Sequence, residues 1–581
     1  MPSANTTHAE TTVLVTDFGA DPTGVRDSTA AVNAAIVHAC TFAGPVRVLF
    51  PPGTYQLYPD EATVRELYVS NTVGADPAHR LKRIAMLVEG AHDLTIDGGG
   101  SRVVLHGEQT IFAALRSSRV TLTGFDLDWR TPRVVDLAVV ASEGSTRDLR
   151  IPEGYGYDVV EGRRLRVASE DSPVTGRPYW VYDDLADGLY AQVLDTATGR
   201  SHRSGDTRAL FDGVTDIKEV APGILRVTWA GEARALPRVG TVLQIRTTTR
   251  DHPGMLAFQS SDVTISDMRV GFLHGFGILD QMGDGFTVRG VDFRAPADGG
   301  RHTAAFADLV HVSGDRGHVL IEDNTFGFAH DDAVNVHGTY VQFVSGCGTE
   351  ATFEFRHPET AGFPVFHAGD EVCFVDRTTM LDVPGWVGVV VEVDGPTGFD
   401  HRHDLTRMTL TFDRPIPDVV DGGRYVAENL TYGPGLTVRG NRFAAIPTRG
   451  VLATTRRPVL IEGNVFDGVE MASILISADA NAWYESGAVR DVTIRRNTFL
   501  RPHPDTQDQP VILIAPEAER PGQGKVHRNI RIEDNTFDVG DSTVLEATSV
   551  DGLTFTGNLI LRPDDAARPE VVLHDVTNFD R

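Results

Sequence analysis

Residues 435–443 read GLTVRGNRF and residues 458–466 read PVLIEGNVF. The two stretches match position by position, with apolar residues second and fourth, Asn seventh and Phe ninth. Related nonamers begin at Asp93, Arg119, Asp262, Gly285, His318, Asp491, Asn529 and Gly552. The second position is apolar in each copy (Leu94, Val120, Val263, Phe286, Val319, Leu436, Val459, Val492, Ile530, Leu553). So is the fourth, and this period of two describes a short strand with one buried face. Six copies share an Asn column: Asn324, Asn441, Asn464, Asn497, Asn535 and Asn558. Asn tolerates a left-handed backbone and its amide can bond a stacked neighbour, so the column marks a repeated turn. The copies beginning at 262 and 285, 435 and 458, and 529 and 552 lie 23 residues apart. A unit of that size with two or three short strands is one coil of a parallel β-helix.

Composition agrees with a turn-rich β protein. The 581 residues include 58 Gly and 31 Pro, and at about 150 residues per domain the length alone suggests several domains. With 80 Asp+Glu against 53 Lys+Arg, the net charge of −27 opposes binding to nucleic acid or an anionic membrane. No apolar run is long enough to span a bilayer, and the opening MPSANTTHAE has no basic or apolar signal region. The chain as written therefore reads as soluble and unexported, which prior removal of a signal would also produce. Cys40, Cys347 and Cys373 are too far apart to suggest a disulfide framework or a zinc site.

Two gaps, 128–261 and 327–434, interrupt the repeat and carry alternating segments such as LRVTWAG and MTLTFD. They predict two small β-barrels or sandwiches inserted between coils, able to wall a pocket. The expected division is 12–127 β-helix with an amino-terminal cap, 128–250 insert, 251–340 β-helix, 341–431 insert and 432–581 β-helix. Helical spacing over 28–40, after Asp27-Ser28, predicts a capping helix over the open end.

Counting back from the nonamers aligns a second set of strands. Leu87, Ala113, Leu256, Leu279, Val312 and Leu452 then fall in one column, expected to face the interior. ADLVHVSG (307–314) and DDAVNVHG (331–338) align at an offset of 24 residues. Asp308 lies over Asp332, His311 over Asn335 and Ser313 over His337, with Asp331 sharing their outward parity. Asp280 aligns with Ser313 one coil earlier, and Arg449 belongs to the following coil. Strands about 4.8 Å apart gather these side chains into one polar ledge. Crowded carboxylates supply one acid and one base near neutrality, the requirement of glycoside hydrolysis. A calcium site is the competing reading, weakened by the two imidazoles.

The amino-terminal FGADPTG…DST…FPPGTY resembles pectin-lyase-like right-handed β-helix enzymes. FAHDDAVNVHGTY (328–340), with ADLVHVSG, LTIDGGGSRVVLHG (94–107), FDLDWRTPR (125–133), TRGVLATT (448–455) and DANAWYESGAV (479–489), resembles glycoside hydrolase family 110. The resemblance implies an all-β, right-handed parallel β-helix with β-barrel insertions. It also implies an exo-α-1,3-galactosidase that acts with inversion and without a metal or other cofactor, on blood-group-B-type or linear α-1,3-galactosides. The catalytic carboxylates it implies are Asp308, Asp331 and Asp332. By analogy with polygalacturonase-type β-helices, Asp331 is expected as the general acid, with Asp308 and Asp332 activating water.

His311, Asn335, His337 and Arg449 are candidate sugar donors, Trp129 and Trp483 candidate stacking platforms, and Asp280, Asp479, Glu485 and Arg130 further candidate contacts. The expected partner is a neutral galactose-terminated glycan. A galacturonan hydrolase or lyase would need several basic residues, and the motif segments hold Arg449 but no Lys. A non-catalytic glycan-binding solenoid is the reading from a different class. Oligomeric state, a homodimer included, stays open.

Overall fold

The computed structural model describes residues 10–230, 236–500, 509–520 and 524–581. Residues 1–9, on which the reading of the amino terminus rests, lie outside it. The chain folds as an all-β, right-handed parallel β-helix. The nonamers pair in the order of the chain, in parallel and in the register of their second positions. Val46 meets Leu94, Leu94 meets Val120, and Val120 meets Val263. The column continues through Phe286, Val319, Leu436, Val459, Val492, Ile530 and Leu553. All of these side chains are buried in one continuous core. Phe rings from the ninth position stack along it, from Phe293 through Phe326, Phe443, Phe466 and Phe499 to Phe537, at centroid spacings of 4.6–5.2 Å.

The Asn column forms a ladder. From Asn441 onward each Oδ1 accepts the backbone N–H and the Nδ2–H of the Asn one coil earlier, as Asn464 does from Asn441 at 2.9 and 3.0 Å, while Asn324 Oδ1 accepts from Val291 N. The left-handed residue of the turn is the one before the Asn: Asp323, Gly440, Gly463, Arg496, Asp534 and Gly557 all have φ between 53° and 67°. The Asn side chains therefore serve to bond coil to coil.

The helix covers Thr29–Ala39 and buries Val32, Ala35 and Ile36 against the first coils. Ser28 occupies the cap position, but the capping bond comes from Asp27, whose Oδ1 accepts from Thr29 N at 2.8 Å.

The first insert is a seven-stranded antiparallel sheet, running in sequence from Val135–Glu143 to Thr241–Arg246, plus a small three-stranded sheet. Leu137, Leu149 and Leu243 of one sheet pack with Leu165, Val167 and Tyr182 of the other. The second insert spans Val341–Cys347 to Tyr425–Asn429, and its sheet closes where Glu371–Asp376 pairs with Tyr425–Asn429.

That barrel corrects one expectation about the β-helix. Leu87, Ala113, Leu256 and Leu279 are buried, but under the second insert with Phe343, Phe353 and Phe363. The interior column is instead Met86, Phe112, Met255, Ile278, Val310, Val334 and Val451. An apolar outer face under an insert and an apolar inner face look the same in sequence.

Candidate active site

Two adjacent parallel strands, Val310–Asp315 and Val334–Thr339, put Val310, Val312, Val334 and Val336 inside and His311, Ser313, Asn335 and His337 outside. Asp308, Asp331 and Asp332 precede these strands. Their side chains open into a cavity of about 700 Å³, walled also by His311, Asn335, Arg449, Asp479, Trp483 and Glu485. Both inserts flank it. Tyr190 and Arg203 come from the first, Arg246 and Arg250 from its return to the β-helix, and His357 and Glu359 from the second. The loop 479–487 reaches the site because Thr339 and Gly338 pair antiparallel with Glu485 and Ser486.

The three aspartates have different partners. Asp331 lies between two guanidiniums, with Oδ1 2.7 Å from Arg203 Nη2 and Oδ2 3.1 Å from Arg250 Nη2. Burial opposes its ionisation, but Arg203, Arg250 and Arg449 together outweigh that and hold the carboxyl below its ordinary range. Asp332 Oδ1 accepts from Arg449 N at 3.0 Å, and the Arg449 guanidinium lies 3.3 Å from Oδ2. Among the described residues no such cation is in contact with Asp308, whose Oδ2 faces His311 Nδ1 at 2.8 Å. Burial first, then the charges of Asp331 and Asp332, push its carboxyl well up. The same burial, with His337 and Arg250 nearby, holds the His311 imidazole well down. Two guanidiniums thus hold the Asp331 carboxyl toward its ionised form, and burial beside His311 holds Asp308 toward its protonated form.

Behind His311 the chain continues. His311 Nε2 is 2.7 Å from His337 Nε2, and His337 Nδ1 is 2.6 Å from Gly338 O. His337, expected as a sugar donor, is buried behind the cavity wall. Phe276 covers His311 with ring centroids 4.5 Å apart. Asn335 Nδ2 donates to Glu485 Oε1 at 3.3 Å, and burial raises the Glu485 carboxyl. Asp479 is committed to its own loop, accepting from Asn481 N, Ala482 N and Trp483 N. Trp483 is 45% exposed and stacks on His357 at 4.8 Å, offering an aromatic face at the rim.

Three expected contacts lie elsewhere. Asp280 pairs in register with Val312, not Ser313, so it points into the coil, where it hydrogen-bonds Asp315. The register slips by one residue because the turn between the Val310 strand and its nonamer is one residue longer than in the preceding coil: Gly283 pairs with Asp315 but Phe286 with Val319, and one residue reverses a side chain's face. Trp129 is buried against Phe272, with Nε1 donating to Gly107 O at 3.0 Å. Arg130 lines a different cleft, with Arg102, Asp128 and Arg301.

Arg203, Arg246, Arg250 and Glu359 were absent from the sequence reading. Arg250 sits five residues before the Met255 strand and carries no motif, and Arg203 lies on an insert hairpin with no repeat to give it a register. Among the described residues, two groups have atoms close enough to share a metal: Asp251, His252 and His274, and Cys373, Asp382 and Glu428. Neither contains the three aspartates of the cavity, whose neighbouring cations are guanidiniums.

Several known proteins are similar to this chain. Residues 12–75 match the model of the rhamnogalacturonase A/epimerase, pectate lyase-like family. A Family 28 exopolygalacturonase of Yersinia enterocolitica aligns with 98% of this chain and 78% of its own, at 12% identity and TM-score 0.37. Over 565 residues the chain is 46% identical to alpha-1,3-galactosidase A of Streptomyces avermitilis, covering 96% of this chain and 88% of that protein. Alpha-1,3-galactosidase B of Bacteroides thetaiotaomicron is 30% identical over 565 residues, covering 96% and 87%. The chain belongs to this family of glycoside hydrolases, family 110, the α-1,3-galactosidases.

Proposed function

We propose that the protein removes terminal α-1,3-linked galactose from neutral glycans, branched blood-group-B-type or linear, by a metal-independent inverting acid–base reaction. The observation that carries this reading is the unequal treatment of three carboxyls on adjacent coils. Asp308 faces His311 Nδ1 at 2.8 Å and is held toward its protonated form, while Asp331 lies between the Arg203 and Arg250 guanidiniums and is held toward its ionised form. Hydrolysis needs such a division: a group with a proton for the departing oxygen, and a carboxylate for the attacking water. Asp308 takes the first part. Asp331, with Asp332 beside it, takes the second.

An exo mode fits a cavity walled by inserts on both sides of the β-helix, with Trp483 at its rim as a platform for the sugar. Four arginines in the wall are a feature expected for a uronate, the substrate of a polygalacturonase. Here carboxyl groups in the wall outnumber them seven to four, and Arg203, Arg250 and Arg449 are already paired. A neutral sugar fits that balance better. A non-catalytic glycan-binding solenoid would gain nothing from carboxyls held in opposite protonation states.

The test is a release assay comparing an α-1,3-galactosyl disaccharide with the fucosylated B trisaccharide, followed by NMR of the first-formed anomer. Free galactose appearing first as the β-anomer supports the reading. Release of α-galactose first would overturn inversion, and no release from either substrate would overturn the specificity.

A further inference from the structure

Of the four arginines in the cavity wall, Arg246 is the one with no carboxylate of its own. Arg203 and Arg250 are taken up by Asp331 and Arg449 by Asp332, and among the described residues no carboxylate lies within ion-pair distance of Arg246. We infer that Arg246 is a substrate-binding residue that donates from Nη2 to a hydroxyl oxygen of the terminal galactose, and that His330 is the positioning residue that aims it. This rests on galactose being the sugar that enters the cavity, as proposed above, whichever carboxyl serves as its acid.

Arg246 ends the strand Thr241–Arg246, where the first insert returns to the β-helix. Its guanidinium lies between the rings of Tyr190 and Phe306, 4.3 and 4.5 Å from their centroids, which fixes its plane. Within that plane Nε donates to His330 Nδ1 at 3.2 Å and Nη1 to Thr247 O at 2.8 Å. Among the described residues Nη2 has no partner, yet it is not sealed in, so it opens on the cavity that Arg246 lines. Burial brings the guanidinium down to about 10, which leaves it charged at neutral pH. A buried charge without a counter-ion is costly, and a sugar hydroxyl supplies the missing oxygen. Trp483 is 45% exposed at the rim, whereas Arg246 is 3% exposed and sits deep. In an exo site the terminal sugar enters first and travels deepest, which matches Nη2 with galactose rather than with the sugar that departs.

An arginine Nε–H can only donate, so His330 Nδ1 is a lone pair and the ring hydrogen sits on Nε2. Burial, with Arg246 and Arg203 nearby, holds this imidazole well down and keeps it neutral. Nε2 faces Thr303 Oγ1 at 3.3 Å. That hydroxyl also accepts from Gln244 Nε2 at 2.6 Å and gives its own hydrogen to Asp136 Oδ1 at 2.7 Å. Each bond along Asp136, Thr303, His330 and Arg246 therefore has one polarity. The backbone is held as well: Ala329 O accepts from Gln192 Nε2 at 3.1 Å, and His330 O from Arg203 Nη2 at 3.4 Å. The first insert thus grips the two residues before Asp331, and the ring of the second sets the direction of Arg246.

Galactose binding to the free enzyme, followed by titration calorimetry, needs no turnover. Arg246→Met is expected to weaken it about ten- to hundredfold. His330→Leu should do the same, because an arginine without its Nδ1 acceptor turns away from the sugar. The double variant should bind no more weakly than Arg246→Met alone, since both substitutions remove one bond. His330→Asn, whose Oδ1 stands in for Nδ1, should bring most of the affinity back. On the α-1,3-galactosyl disaccharide the same variants should raise KM by that factor with kcat nearly unchanged. Should Arg246→Met fail to fold, Arg246→Lys keeps the charge without an Nε–H for His330, and its affinity should be indifferent to His330→Leu. Full affinity in Arg246→Met, losses that add in either double variant, or an unmodified enzyme that binds no galactose overturns the inference. An enzyme that binds galactose through Arg246 but releases none from the disaccharide overturns the proposed function and leaves this inference standing.

Discussion

Arg203 Nη2 lies 2.7 Å from Asp331 Oδ1, joining a hairpin of the first insert to a coil of the β-helix. The insert thereby supplies one of the two guanidiniums in contact with this carboxylate. Arg203→Ala should let the Asp331 carboxyl climb toward its ordinary range or above, because burial then goes less opposed. The acidic limb of kcat/KM should move to higher pH, and activity at neutral pH should drop about ten- to hundredfold. A pH–rate profile with an unchanged acidic limb would count against the clamp.

The division of roles between Asp308 and Asp331 predicts different rescues. Asp308→Asn should lower turnover of the disaccharide by roughly 10²–10⁴-fold. It should do far less harm to an aryl α-galactoside whose leaving group needs no protonation. Asp331→Asn should be equally poor on both, and azide should restore activity as a substitute nucleophile. The reverse pattern would return the acid role to Asp331.

Asp280 leads to a prediction about stability rather than turnover. It is buried and shares a hydrogen with Asp315, which also accepts from Gly285 N and Gly317 N. Burial, then the charge of Asp315, raise its carboxyl well above the ordinary range. The folded state therefore binds a proton that the unfolded chain has already lost. Stability is undiminished below the ordinary carboxyl pKa and falls as pH rises toward the folded value. Asp280→Asn keeps a donor for Asp315 and cannot ionise. Its Tm should fall less between pH 5 and pH 9 than that of the unmodified chain, with catalysis unaffected. Parallel Tm profiles would sink the idea.

The Asn ladder should be costly to break. Asn464 accepts twice from Asn441, and its Nδ2 donates to Val438 O and Asn497 Oδ1. Asn464→Ala leaves a buried backbone N–H of Asn441 unpaired, at a cost of about 1–3 kcal/mol. Equilibrium denaturation should show that loss. A change within a few tenths of a kcal/mol would mean that water replaces the side chain.

The coils were legible because the repeat is self-aligning. Each nonamer has a fixed second position, and copies separated by either insert still pair in register, as Val120 with Val263 and Val319 with Leu436 do. The pairing of His311 with Asn335 and of Ser313 with His337 followed from the same arithmetic. It failed at Asp280, where segments of unequal length moved the register by one residue and turned a supposed surface carboxyl into a buried one. It also failed for the Leu87 column, because pattern reveals that a face is apolar and not what covers it.

By itself, then, the sequence determined the β-helix, the location of the inserts and the coils that bear Asp308, Asp331 and Asp332. Periodicity is local information, and a solenoid is built from contacts between neighbouring repeats. Only the tertiary structure decided which cations and imidazoles meet each carboxyl. That depends on Arg203 and Arg250 closing on Asp331 and on His311 reaching Asp308. Arg203 arrives through an insert with no repeat to index it. A proton's position is set by burial and by charges a few ångströms away, whatever their distance along the chain.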